Sequence, residues 1–149
     1  MNIFSTLNIS ASGLAAERLR MDLTAQNIAN VNTTKTEDGG PYKRKVAVFK
    51  EKLQQEIHKR NEKFQGSNEK FQGNGVEVDK IVTDDSPPIM VYDPNHPHAN
   101  EEGFVAKPNI NLADEMVDLI TASRAYEANV AVLNATKQIA MKALSIGRG

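Results

Sequence analysis

Two histidines stand two residues apart in Asp93-Pro94-Asn95-His96-Pro97-His98, and Glu101 and Glu102 follow closely. Imidazole and carboxylate groups together make the donor set of a metal site. An i, i+2 pair in a proline-rich loop is a weak version of that signal, because metal-binding histidine motifs are usually spaced along a helix or between cysteine pairs. There is no cysteine, so disulfides, thiolate metal sites and cysteine nucleophiles are excluded. No nucleophile elbow, glycine-rich phosphate loop or helix-borne histidine pair is present. The Lys43-Arg44-Lys45 triplet suits phosphate, yet it has no aromatic platform and no wider basic face beside it. It is expected to be a solvated strand edge, where charge guards against stray pairing. Neither catalysis, nor a cofactor, nor a metal, nor a small-molecule substrate is therefore expected.

The elements that carry these residues read more clearly. Leu112, Met116, Leu119, Ser123, Tyr126, Val130, Leu133, Lys137, Ala140 and Leu144 follow at alternating steps of four and three, the a/d spacing of a coiled-coil seam. Asn111 suits the N-cap, Asp114 and Glu115 the first turn, and Gly147 the stop. These signals predict one helix of roughly 35 residues, about 50 Å long. From Ile3 to about Asn30 a second seam runs through Leu7, Ala11, Leu14, Arg18, Met21, Ala25 and Ile28. Gly13, Ser10, Ser12, Thr24 and Asn27 lower its intrinsic helicity, so packing has to order it. Seams this narrow need partner helices along their whole length, supplied in part by this chain and in part by other molecules.

Between the helices, Asn32 to Thr34 and Asp38-Gly39-Gly40-Pro41 form turns. Tyr42 to Phe49, Val76 to Val82 and Ile89 to Tyr92 read as short strands, and Phe104 to Pro108 as an extended lead into the last helix. Asn61-Glu62-Lys63-Phe64-Gln65-Gly66 recurs as Asn68-Glu69-Lys70-Phe71-Gln72-Gly73, too short a repeat for a solenoid and read as a surface loop. Residues 41–80 hold ten Lys or Arg against six acids, and residues 81–118 eight acids against Lys107 alone. That asymmetry suits contacts between unlike faces of related subunits, beside the ordinary role of a solvated surface. The expected fold is mainly α with a small β insert: long terminal helices forming a coiled-coil-like pair, with short strands and extended loops between them. Residues 1–32 and 109–149 would form one discontinuous helical domain around a middle region, 33–108.

Composition narrows the partners. In 149 residues the hydrophobic fraction is 40%, aromatics are 5% and tryptophan is absent, so one large core is not expected. The net charge of -1 gives no field that would steer the molecule to nucleic acid or anionic lipid. No run approaches a membrane span, and the N-terminus lacks the basic and apolar regions of a signal peptide. Direct membrane insertion is not expected.

Ile9-Ser10-Ala11-Ser12-Gly13-Leu14, with Ala25-Gln26-Asn27-Ile28-Ala29-Asn30-Val31-Asn32-Thr33, resembles the N-terminal signature of the bacterial flagellar axial proteins that build rod and hook. Glu115-Met116-Val117-Asp118-Leu119-Ile120 and Arg124-Ala125-Tyr126-Glu127-Ala128-Asn129 are similar to their C-terminal signature. Gly39-Gly40-Pro41-Tyr42, Tyr92-Asp93-Pro94, Gly103-Phe104-Val105 and Pro108-Asn109-Ile110-Asn111 resemble a short, proximal-rod member. The likeness weakens over about residues 53 to 73. It implies a structural subunit of the basal-body rod, exported by the flagellar type III pathway, that polymerises with other rod subunits and with export and base proteins into a helical shaft crossing the periplasm. Such a shaft transmits motor torque. Leu7, Leu14, Met21, Ile28, Leu112, Met116, Leu119, Tyr126, Val130, Leu133 and Leu144 would then be subunit-interface residues. A soluble helical scaffold or adaptor, using the same seams on another partner, is the alternative.

Overall fold

Residues 3–52 and 75–147 are those the computed structural model describes, and both copies of the repeated hexapeptide lie outside them. The described elements are α1 (Ile3–Ala29), β1 (Lys45–Glu51), β2 (Val76–Thr83), β3 (Ile89–Tyr92), β4 (Phe104–Lys107) and α2 (Leu112–Ile146). The fold is mainly helical, with two long terminal helices and a small β insert, as the sequence leads one to expect.

Local chemistry sets the ends. Asn111 has extended backbone, and its side-chain oxygen accepts from the Ala113 N–H at 3.1 Å, so α2 starts at Leu112. It runs for 35 residues and stops at Ile146. Gly147 keeps right-handed dihedrals there, so the stop does not use the left-handed freedom of glycine. At the other helix end the Asn30 side chain donates to the Gln26 carbonyl, and the Thr33 N–H bonds back to the Asn30 carbonyl. Gly39 and Gly40 then take φ values of 79° and 98°, which reverse the chain ahead of Pro41.

β1 and β2 pair antiparallel, as do β3 and β4, in two separate two-stranded sheets. The strand expected from Tyr42 begins only at Lys45, and the side chains of Tyr42 and Arg44 before it turn to Asn27 and Glu115. Phe104 to Lys107, expected to be merely extended, pairs with Ile89 to Tyr92. The β1–β2 register shifts between Val48 and Phe49, leaving Asp79 as an extra residue on β2. This bulge has a packing consequence. Val76 and Val78 occupy even positions and Ile81 an odd one, so an unbroken strand would send them to opposite faces. With the extra residue, Val76 lies opposite Glu51, Val78 opposite Phe49, and Ile81 opposite Ala47, all on one face. Lys50 bridges Glu77 and Asp79 beside the bulge, at 3.3 and 3.1 Å.

The helices form an antiparallel hairpin, since Gly13 lies against Asn129 and Asn27 against Glu115. Buried apolar residues are few and mostly small or medium: Ala16, Leu23, Val105, Ile110 and Ala122. Around them sit buried Ser10, Thr24, Asn27 and Glu115. Nearly half of the buried residues are thus polar.

Candidate functional site

Ser10, Gly13, Glu17, Arg20, Thr24 and Asn27 recur at steps of three and four along α1. Of this stripe, Gly13, Arg20 and Asn27 lie against α2. A Cβ on Gly13 would sit 3.1 Å from the Asn129 amide, so the glycine permits the close approach of the two helices there. Arg20 donates to Asp118 at 3.2 Å, and Asn27 donates to Glu115 at 3.0 Å.

Asn27 is the centre of a network. Its Oδ1 accepts from the Lys45 N–H at 3.0 Å and from the Tyr42 hydroxyl at 3.1 Å. Its Nδ2 donates to the Lys45 carbonyl and to Glu115 Oε2, both at 3.0 Å. Both donors and both acceptor sites of the amide are used, as burial demands of a group only 1% exposed. Glu115, equally buried, accepts from Arg44 Nε on its other oxygen. The Arg44 guanidinium continues to Asp118 at 3.2 Å, where Arg20 meets it. Two guanidinium groups therefore face two carboxylates, and side chains, with the backbone of Lys45, tie three segments of the chain together. Burial, and then the nearby Glu115 carboxylate, raise the Tyr42 phenol above the ordinary tyrosine value.

Arg44 corrects the expectation for its triplet. Lys43 is exposed and pairs with Asp85 at 2.8 Å, but Arg44 turns inward and is not a solvated edge charge. The histidines form contacts within the loops: the His98 N–H donates to His96 Nδ1 at 3.1 Å, and His98 Nδ1 lies 2.8 Å from the Thr34 hydroxyl. Among the described residues no group of three or more His, Asp or Glu is placed to hold a metal. No described helix is long and apolar enough to cross a membrane.

The residues of the two predicted seams divide by exposure. Leu7, Leu14, Met21 and Ile28 on α1 are half-buried, as are Leu119, Tyr126, Val130 and Leu133 on α2. Leu112, Met116 and Leu144 are exposed. Ile120, Val117 and Ile139, outside the predicted seam, are exposed too. Leu112, Met116 and Ile120 succeed one another at i, i+4, i+8, so they form one apolar strip at the start of α2. Met116 is 52% exposed and Ile120 60%, which leaves this strip without cover from the described residues of its own chain. An i+4 step from Met116 was the available signal for Ile120. Asn27, Glu115 and Arg44 carry no hydropathy signal at all.

Comparison with known proteins adds to this geometry. Residues 7–35 match the family described as flagella basal body rod protein. Residues 101–146 match the flagellar basal body rod FlgEFG protein C-terminal family. Over 99% of its length the chain is 46% identical to the flagellar basal-body rod protein FlgC of Bacillus subtilis, all of which is matched. It is 42% identical to the protein of that name from Borreliella burgdorferi, over all of both chains. With the Salmonella typhimurium protein of that name the identity is 32%, over 99% of this chain and all of the relative.

Proposed function

The chain belongs to the FlgC family of flagellar basal-body rod proteins, and from that premise we propose that it is a structural subunit of the rod, polymerising through its terminal helices. The observation that carries the physical part of this reading is the exposed apolar strip Leu112, Met116 and Ile120 on a helix whose inner face is already satisfied. Water-exposed surface of this kind gains about 25 cal/mol per Å² when a neighbouring helix covers it. Leu7, Leu14, Met21, Ile28, Leu119, Tyr126, Val130, Leu133 and Leu144 extend the contact along both helices. Residues 1–32 and 109–149 act as one discontinuous helical domain, and residues 33–108 are the middle region of the chain. Its partners are other rod subunits and the export and base proteins of the basal body. Export by the flagellar type III pathway, a place in the proximal rod across the periplasm, and transmission of torque complete the reading.

The test is the double variant Met116→Asp with Ile120→Asp, expressed in cells lacking the native gene. Both side chains face solvent in the free chain, so the purified variant keeps its helical signal and melting temperature. Export of the subunit persists, rods fail to assemble, and swimming is lost. Intact rods and normal swimming would overturn the proposal.

A further inference from the structure

Besides the residues that meet α1, α2 carries a second row with the period of a packing seam. Ala128, Val132, Ala135, Ile139, Lys142 and Ile146 follow at strictly alternating steps of four and three, the a/d spacing of a helix that packs along its length against another. The row runs on a different side of α2 from the half-buried Leu119, Tyr126, Val130 and Leu133. All six of its residues are exposed, Val132 by 47%, Ile139 by 64% and Ile146 by 75%. After Glu127 the helix holds no acid, and its charges are Lys137 and Lys142 alone.

We propose that this row docks on the same row of a second copy of the chain, as an antiparallel pair formed by the last turns of two α2 helices. Side-chain size and charge set the direction. The longest antiparallel register places Ala128 against Ile146, Val132 against Lys142 and Ala135 against Ile139, each pair occurring twice about a twofold axis. Both isoleucines then face alanines, so that large fills small along the row, as close packing requires. Lys142 lays its aliphatic stem on Val132 and carries its ammonium past it into water. A parallel, in-register pair sets Lys142 against Lys142, which repels, and alanine against alanine, which leaves gaps. A twofold pair closes on itself and does not extend. Copies held in this way keep an apolar row from water, and they have to part before the row is offered to a neighbour in a growing shaft. Such pairing is a property of the free subunit, so it stands or falls apart from the rod assignment.

The chain has no cysteine, so Ala128→Cys and Ile146→Cys each place a single thiol at an exposed site of the row. The two full-length variants, one of them isotopically labelled, are mixed and mildly oxidised, and the disulfide dimers are sorted by mass. In the antiparallel register position 128 faces position 146 of the other copy, whereas the two 128 positions lie about 27 Å apart along the helices. A disulfide needs Cα atoms within about 7 Å, so mixed dimers exceed like pairs by roughly tenfold or more. Like pairs in excess would show a parallel contact, and no dimer above the yield of the same mixture in denaturant would show no contact; either result overturns the proposal. Sedimentation supplies a second reading. The mass of the unaltered chain rises with concentration from one copy toward two, while Ile139→Asp keeps the helical signal and sediments as one copy throughout. An unaltered chain that stays a monomer at every concentration, or an Ile139→Asp chain that pairs as well as its parent, would equally overturn it.

Discussion

Replacing Asn27 by alanine removes a side chain that ties α1 both to residues 42–45 and to α2. Four partner groups lose their bond: the Lys45 N–H, the Lys45 carbonyl, the Tyr42 hydroxyl and Glu115 Oε2. A fully buried group left unpaired costs about 1–3 kcal/mol. Lys45 and Tyr42 are only half-buried and regain water in part, so they fall at the low end. Glu115 is 1% exposed and falls at the high end, although Arg44 still holds its other oxygen. Together these give a loss of about 3–5 kcal/mol, allowing for the non-additivity of groups in one network. That is a large share of the roughly 5–15 kcal/mol that keeps a domain folded. In urea, at an m-value of about 2 kcal/mol per M, the unfolding midpoint of Asn27→Ala falls by roughly 2 M. Asn27→Asp has the same shape and keeps the Oδ1 acceptor, but it turns a carboxylate oxygen toward Glu115 and the Lys45 carbonyl, so it fares no better than alanine. An alanine variant within about 1 kcal/mol of the parent would refute the assignment of Asn27 as a structural hub.

Arg44→Lys retains the positive charge but cannot reach Glu115 and Asp118 together, and chemical denaturation should show a loss of about 1–3 kcal/mol, with Arg44→Ala worse because Glu115 is then buried and unpaired. Gly103 sits at φ 82° with any Cβ 2.9 Å from the Tyr92 ring, so Gly103→Ala should destabilise the β3–β4 loop by about 1 kcal/mol or more, seen as a lower melting temperature. Spectrophotometric alkaline titration should find the Tyr42 phenol ionising above the ordinary tyrosine value, and Glu115→Gln should lower it. The sign of the linked stability follows: the folded state holds the Tyr42 proton longer than the unfolded chain, so this contribution is complete below the unfolded tyrosine value of about 10 and is lost as pH rises through the raised one.

The limits of both helices, the N-cap at Asn111 and the two strands with alternating valines, β1 and β2, follow from signals that are local in sequence. Caps, turns and periodicity act over a few residues, so they survive without knowledge of the fold. What could not be read was which stripe of α1 its partner helix covers. Hydropathy marks Leu7, Leu14 and Met21, because large apolar side chains dominate any such pattern. The residues of α1 that lie against α2 are a glycine, an arginine and an asparagine, whose value lies in close approach and in bonds to partners far along the sequence. Glu115 shows the same difficulty. Near the start of a helix it reads as a charge favourable to the helix dipole, yet it is buried, because Arg44 and Asn27 arrive from 71 and 88 residues away. The strand from Val76 was legible, but the bulge at Asp79 that brings Ile81 onto the face of Val76 and Val78 was not.

The bonds between the Asn27 amide and both backbone groups of Lys45 have one more consequence. A side-chain amide that donates to a strand carbonyl and accepts from the same residue's N–H imitates a neighbouring strand's peptide group. The first residue of β1 is thereby paired on its outer side, away from β2, at a point where a two-stranded sheet would otherwise present a free edge. Open edges of this kind recruit strands from other molecules and seed disordered aggregates. A subunit whose task is to meet many copies of its relatives at high local concentration is especially exposed to that error. Here the helix that is offered for ordered assembly also closes the end of the strand that would support the disordered kind, so loss of Asn27 should appear in the cell as insoluble protein before it appears as a missing rod.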